Sequence, residues 1–149
     1  MVAQHQYATA GALRTALETR LLERSRRDAV DLHRLRRQVA FDRFLARMFD
    51  AGLPARDGWM LKGGYALEMR FHQARATKDL DLTVRTTADA RTPAEDLAAA
   101  LRDRLQIAAA VQLHDFFVFD VGEPGLELNQ APDGARDSPL TPASMVAPS

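Results

Sequence analysis
The sequence predicts an α+β protein, with a helical N-terminal unit ahead of a core that combines short strands and helices. Three observations lead there. From Ala12 to Phe49, apolar residues recur at helical spacing. The runs 59–61, 79–84 and 115–121 have the branched, aromatic or alternating character of strands. Between the last two runs, Thr92-Pro93-Ala94-Glu95 reads as a helix start, with Thr as N-cap, Pro at the first position and Glu at the third.

In chain order, Leu13, Leu17 and Leu21 repeat every four positions among Arg and Glu, which predicts a first amphipathic helix. Asp28 and Asp31, three apart, resemble a capping box with a shorter acid, ahead of Leu32, Leu35, Val39, Phe41, Phe44, Leu45, Met48 and Phe49. A second helix is therefore expected from about 29 to 50, stopped by Gly52 and Pro54. The coil Leu53 to Gly58 separates a helical unit, 1–52, from a core, 53–130. In that core Trp59-Met60-Leu61 forms a short apolar run, Gly63-Gly64 allows a tight turn, and Ala66, Leu67 and Met69 favour a helix to Phe71. After the strand 79–84 and a polar loop, a helix from Thr92 turns Leu97, Ala100, Leu101 and Leu105 inward and fades near Ala110. DFFVFDV, 115–121, reads as a third strand ended by Gly122 and Pro124, and Glu127-Leu128 as a further extended piece. The tail 131–149 has four prolines and few large apolar groups, too little to offset its chain entropy, so disorder is expected.

Composition narrows the function. With 149 residues, 46% of them hydrophobic, one domain can bury a real core. The formal net charge is zero, so attraction to nucleic acid or membrane has to be local. Without cysteine there are no disulfides or thiolate metal sites, and His5, His33, His72 and His114 lack zinc-ligand spacing. No apolar run approaches the roughly 18 residues of a membrane span, and the N-terminus lacks a signal-peptide pattern. A cytoplasmic protein with no membrane partner is the expectation.

The chemistry concentrates in WMLKGGYALEMRFHQARATKDLDLTV, 59–84. On a strand, Asp79 and Asp81 point to one face while Leu80 and Leu82 point to the other. Two adjacent carboxylates repel unless a cation or proton lies between them, and hard oxygen donors at this spacing suit magnesium. Gly63 and Gly64 leave room for a phosphate at the amides opening the next helix, where the dipole also favours anions. Lys62, Arg75 and Lys78 could neutralise a triphosphate, and Thr77 could donate a hydroxyl hydrogen bond. Taken singly, Asp-x-Asp is also how a solvated strand face looks, and Gly-Gly how a plain turn looks. It is their order, strand, Gly-Gly, helix, basic loop, Asp-Leu-Asp, that suggests phosphoryl or nucleotidyl transfer.

LKGGYALEMRF followed by RATKDLDLTV resembles the AbiEii-like abortive-infection toxin nucleotidyltransferases, members of the DNA polymerase beta-like superfamily. The likeness extends back through both N-terminal helices, RRQVAFDRFLARMF included, and forward through DFFVFDVGEP towards Pro132, about 120 residues in all. It implies a small mixed sheet flanked by helices, Mg2+ on Asp79 and Asp81, and a nucleoside triphosphate held at Gly63, Gly64 and Lys62. It also implies an RNA acceptor, tRNA ends above all, and a cognate antitoxin as partner in phage defence. The superfamily pattern calls for a third carboxylate on a later strand. Asp115 and Asp120 are the residues on 115–121 that could stand in, though alternation puts them on opposite faces. The abrupt change into the proline-rich tail suggests a frameshifted or truncated gene product, and with it an alternative function, a catalytically dead remnant that binds nucleotide or antitoxin. A further signal is ten arginines against six acids in residues 12–50, a basic face that could guide RNA or simply keep a helix soluble.

Overall fold
The structure, a computed structural model, describes residues 7–49, 58–71, 76–85, 91–124 and 138–139. Helix α1 spans Ala10–Asp28 and α2 Leu32–Met48; strand β1, Trp59–Lys62, leads into α3, Gly63–Arg70; β2, Asp81–Val84, is followed by α4, Ala94–Ala109, and β3 is Ser138–Pro139. The α+β class stands. Among the described residues no helix is long and apolar enough to cross a membrane.

Helix α1 starts on Thr9, whose hydroxyl accepts from the Ala12 amide at 3.1 Å, and stops at Ala29, which adopts the left-handed conformation with φ 52°. That stop fixes where α2 begins. Asp31, not Asp28, is its N-cap, accepting from the Arg34 amide at 2.9 Å. Asp28 still belongs to α1 and pairs with Arg24 and Arg27 instead. The expected cap at Thr92 is likewise displaced. Pro93, extended at ψ 143°, is the N-cap of α4 and offers no side-chain bond, while Glu95 and Asp96 complement the dipole in the first turn.

The apolar series of α2 does what its spacing predicts. Phe44, Leu45 and Met48 enter the core with Tyr65 of α3, Leu80 and Leu82, Leu105, Ala108 and Ala109 of α4, and Phe119 and Val121. Leu21 and Leu35 are buried separately, and α1 packs on α2. The coil 53–58 lies outside the described residues except for Gly58.

Among the described residues both strand pairings are antiparallel, in the order β1-β2-β3, where the resemblance implied a mixed sheet. The reason lies in the register. Lys62, the last residue of β1, pairs with Asp81, the first of β2, and Trp59 pairs with Val84. Unit β1-α3-β2 is thus a hairpin whose connection holds a helix of 8 residues, about 12 Å long. The chain leaves and returns at one end of the sheet, which forces opposite strand directions. Ser138 and Pro139, within the stretch expected to be disordered, pair with Leu82 and Asp81; the rest of 125–149, Glu127 and Leu128 included, lies outside the described residues.

Residues 115–121 form no strand. His114 and Phe116 take positive φ, 54° and 60°, which interrupts any ladder at its start. Side chains then meet backbone needs that a ladder would have met. The Asp115 carboxylate accepts from the Phe117 amide at 3.1 Å, Arg47 Nη2 donates to the Phe117 carbonyl at 2.9 Å, and the Val121 amide donates to Gln106 Oε1 at 2.9 Å. The predicted alternation survives without the ladder: Phe119 and Val121 are buried, whereas Val118 and Asp120 are exposed.

Candidate functional site
The mouth of the β1-α3-β2 hairpin gathers the residues that the sequence singled out. Leu80 and Leu82 are buried in the core, Asp79 is exposed and Asp81 is half-buried, so both carboxylates lie on the side of the chain away from the core. Directly opposed antiparallel residues project to the same face with Cβ atoms about 5 Å apart. Lys62 and Asp81 are such a pair.

The two glycines make the close approach possible. Gly63 has φ +69°, and a Cβ built there would overlap the Asp81 carboxylate and fall 2.9 Å from Asp81 Cβ. At Gly64 a Cβ would meet Thr77 Cβ at 3.0 Å and its Oγ1 at 3.2 Å. Each glycine therefore receives one residue of the segment that carries the aspartates. Helix α3 opens here with Lys62 as N-cap, no side-chain cap and no acid in its first turn, so the positive end of its dipole faces the Asp81 side of the hairpin.

Thr77 takes a different place from the one its hydroxyl suggested. Its Oγ1 donates to the Asp79 carbonyl at 3.1 Å and accepts from the Asp79 amide at 3.3 Å, so it locks the turn that presents Asp79. Lys78 is exposed beside it, and Arg75 lies outside the described residues.

Glu68 was missed in the sequence. It is buried to 9% exposure and accepts from Arg34 Nε and Gln38 Nε2, each at 2.8 Å, and from the Thr77 amide at 3.2 Å. Burial alone would raise its pKa, but the bonds from Thr77, Gln38 and Arg34 outweigh burial and hold it below the ordinary carboxylate value. The helical period alone did not single it out: the neighbours of Tyr65 are three and four residues on, Glu68 and Met69, and the structure buries the acid while leaving Met69 61% exposed. Tyr65 itself donates to Asp42 Oδ1 at 2.6 Å, and burial, followed by that bond, pushes its pKa up.

Asp115 does not stand in as a third metal carboxylate. It is held by Arg47, which is 1% exposed and whose Nη1 lies 3.1 Å from Asp115 Oδ2, and Arg43 stands 3.9 Å away. Burial works to raise its pKa, but Arg47 and the Phe117 amide lower it further than burial raises it. This is a structural ion pair that ties α2 to 115–121. Asp120 is exposed on the opposite side of that segment. Among the described residues no group of three His, Asp or Glu forms. The arginine series is similarly divided: Arg34, Arg36, Arg43 and Arg47 pair with Glu68, Glu18 and Asp115, whereas Arg14, Arg20 and Arg26 lie exposed along α1.

The carboxylate pair fits a hard divalent cation by donor type and by exposure. The space beside both glycines is taken by Asp81 and Thr77 themselves. No curated protein matches the chain, and no solved structure matches it. A family described as "Nucleotidyl transferase AbiEii toxin, Type IV TA system" matches residues 43–137, from within α2, so that α1 lies outside the match. With well over half of its length matched, hairpin mouth included, the chain belongs to the AbiEii nucleotidyl transferase toxin family of type IV toxin–antitoxin systems.

Proposed function
We propose that this chain transfers a nucleotidyl group from a nucleoside triphosphate to a hydroxyl of RNA, with tRNA ends as the acceptor, and that a cognate antitoxin restrains it in the cytoplasm as part of phage defence. The observation that carries the proposal is the seating of Asp81 against Gly63, at the open end of α3 and opposite Lys62. Nucleotidyl transfer needs such a corner: a cation held by carboxylates, beside backbone donors and a positive charge for the phosphates.

In this reading Asp79 and Asp81 hold Mg2+, which supplies charge neutralisation at the phosphates when bound. The opening amides of α3 at Gly63 and Gly64, with Lys62, Arg75 and Lys78, orient the triphosphate, and the Thr77 turn keeps Asp79 in place. The acceptor hydroxyl oxygen forms a bond to the α-phosphorus, the α–β anhydride bond breaks, pyrophosphate leaves with that electron pair, and the hydroxyl proton passes to solvent or to a carboxylate.

The test is incorporation of labelled nucleotides into total RNA by the full chain, with and without Mg2+. Asp79→Asn combined with Asp81→Asn should abolish incorporation while the circular dichroism spectrum stays unchanged. Undiminished incorporation by the double variant would overturn the assignment. Nucleotide binding by the wild type without any incorporation would replace it with the binding-only alternative.

A further inference from the structure
We infer that Glu68 is a positioning residue for the metal-holding aspartates, acting through Thr77. This deepens the proposed function and rests on it. The relay is continuous. Arg34 and Gln38 of α2 bond one oxygen of Glu68, whose other oxygen takes the Thr77 amide, and the Thr77 hydroxyl grips the backbone of Asp79 on both its amide and its carbonyl. Gly64 abuts the Thr77 side chain, which closes the turn from the other side. An exposed carboxylate on a short loop would otherwise sample many orientations. Here the loop is tied to a long helix by a buried anion with two side-chain donors.

Burying a carboxylate on α3 while leaving Leu67 and Met69 in solvent is a poor way to stabilise an eight-residue helix. An apolar residue at 68 with a polar one at 67 would bury more apolar surface. The arrangement makes sense if the orientation of Asp79 is what it secures. Outer-shell partners of this kind are worth about 10- to 100-fold in metal affinity.

Glu68→Gln removes the charge, and Thr77→Val removes the grip on Asp79 while keeping the shape against Gly64. Mn2+ binding to the full-length variants, read by the electron paramagnetic resonance of free Mn2+, and their melting temperatures separate the roles. Both variants should bind Mn2+ about tenfold or more weakly than the wild type, with Thr77→Val melting close to it. A purely structural role predicts a lower melting temperature with Mn2+ binding per folded molecule within twofold of wild type, and that result would overturn the inference. If Glu68→Gln fails to fold, Gln38→Ala, which takes one donor from Glu68 and leaves Thr77 and the aspartates intact, replaces it with the same two outcomes. Absence of Mn2+ binding by the wild type itself would instead defeat the proposed function, and this inference with it.

Discussion

Replacing Gly63 by Ala tests the geometry of the site directly, and Gly58 provides the control. Both glycines have positive φ, +69° and +90°. An alanine in that region costs about 1–2 kcal/mol at either position. What differs is the space around the new methyl. At Gly58 the nearest atom is the Arg85 carbonyl oxygen at 3.2 Å, a contact relieved by a shift of a few tenths of an ångström. At Gly63 the methyl overlaps the Asp81 carboxylate, and Asp81 Cβ lies only 2.9 Å away. Rotating the carboxylate clears the first clash but not the second, because Cβ is fixed by the strand. The start of β2 therefore has to move away from β1, carrying Asp81 with it. For a chain of this length each kcal/mol lowers the melting temperature by about 2–4 °C, so Gly58→Ala should melt about 2–8 °C below wild type. Gly63→Ala should melt lower still. Mn2+ binding should fall by about tenfold or more in Gly63→Ala, and stay within twofold of wild type in Gly58→Ala. Equal melting temperatures and equal Mn2+ binding in the two variants would show that Asp81 does not lie over Gly63, and the site would have to be redrawn.

Two further perturbations address the ion pairs. Asp115→Ala strands the Arg47 charge at 1% exposure and should cost about 3 kcal/mol in urea denaturation, while RNA labelling per folded molecule stays at the wild-type level; a loss of labelling without a loss of stability would return Asp115 to the active site. Glu18→Gln, by contrast, breaks a pair exposed at 43% and 40% and should cost well under about 1 kcal/mol by the same measurement. The buried carboxylates also set the acid limb. Glu68 and Asp115 both titrate below their ordinary values of 4.5 and 3.8 in the folded chain, so the unfolded chain takes up their protons first as pH falls. Their contribution is complete at neutral pH and is lost as pH drops below about 4.5 towards the folded-state values. Urea midpoints measured from pH 7 to pH 3 should fall in that range, and fall less steeply in Asp115→Ala; parallel slopes would remove Asp115 from the acid response.

What was legible in the sequence is what a residue and its near neighbours decide. Burial alternates from Asp79 to Leu82 as the two-residue period predicts, although the expected strand 79–84 begins only at Asp81 and Asp79 stands in the bend before it. The run Phe44, Leu45, Met48 needs only the helical period. Residues 115–121 show where that reach ends. Branched and aromatic side chains gave the right alternation of faces, but whether an extended segment joins a ladder depends on a partner, and here Arg47 and Gln106 meet the backbone from 70 and 15 residues away. Glu68 is the same case on a helix. Its burial is tolerable only because Arg34 and Gln38 arrive from 34 and 30 residues away, and no local pattern announces donors on another element.

The order of motifs at the site was readable, yet its physical reason emerges only from the register. Gly-Gly and Asp-Leu-Asp are separated by a helix and a loop, and nothing in their spacing requires them to touch. Pairing Lys62 with Asp81 does require it. Once β1 and β2 close as a hairpin, whatever follows Lys62 must pass the residue that opens β2, and the passage is too narrow for a side chain. The glycine at 63 thus serves two demands: it supplies the positive φ of the turn, and it lets the Asp81 carboxylate settle over the backbone where α3 begins. A turn needed only to reverse the chain would ask for positive φ and nothing more, as at Gly58. The additional demand for an absent Cβ is what marks this turn as belonging to Asp81 and to the chemistry proposed for it.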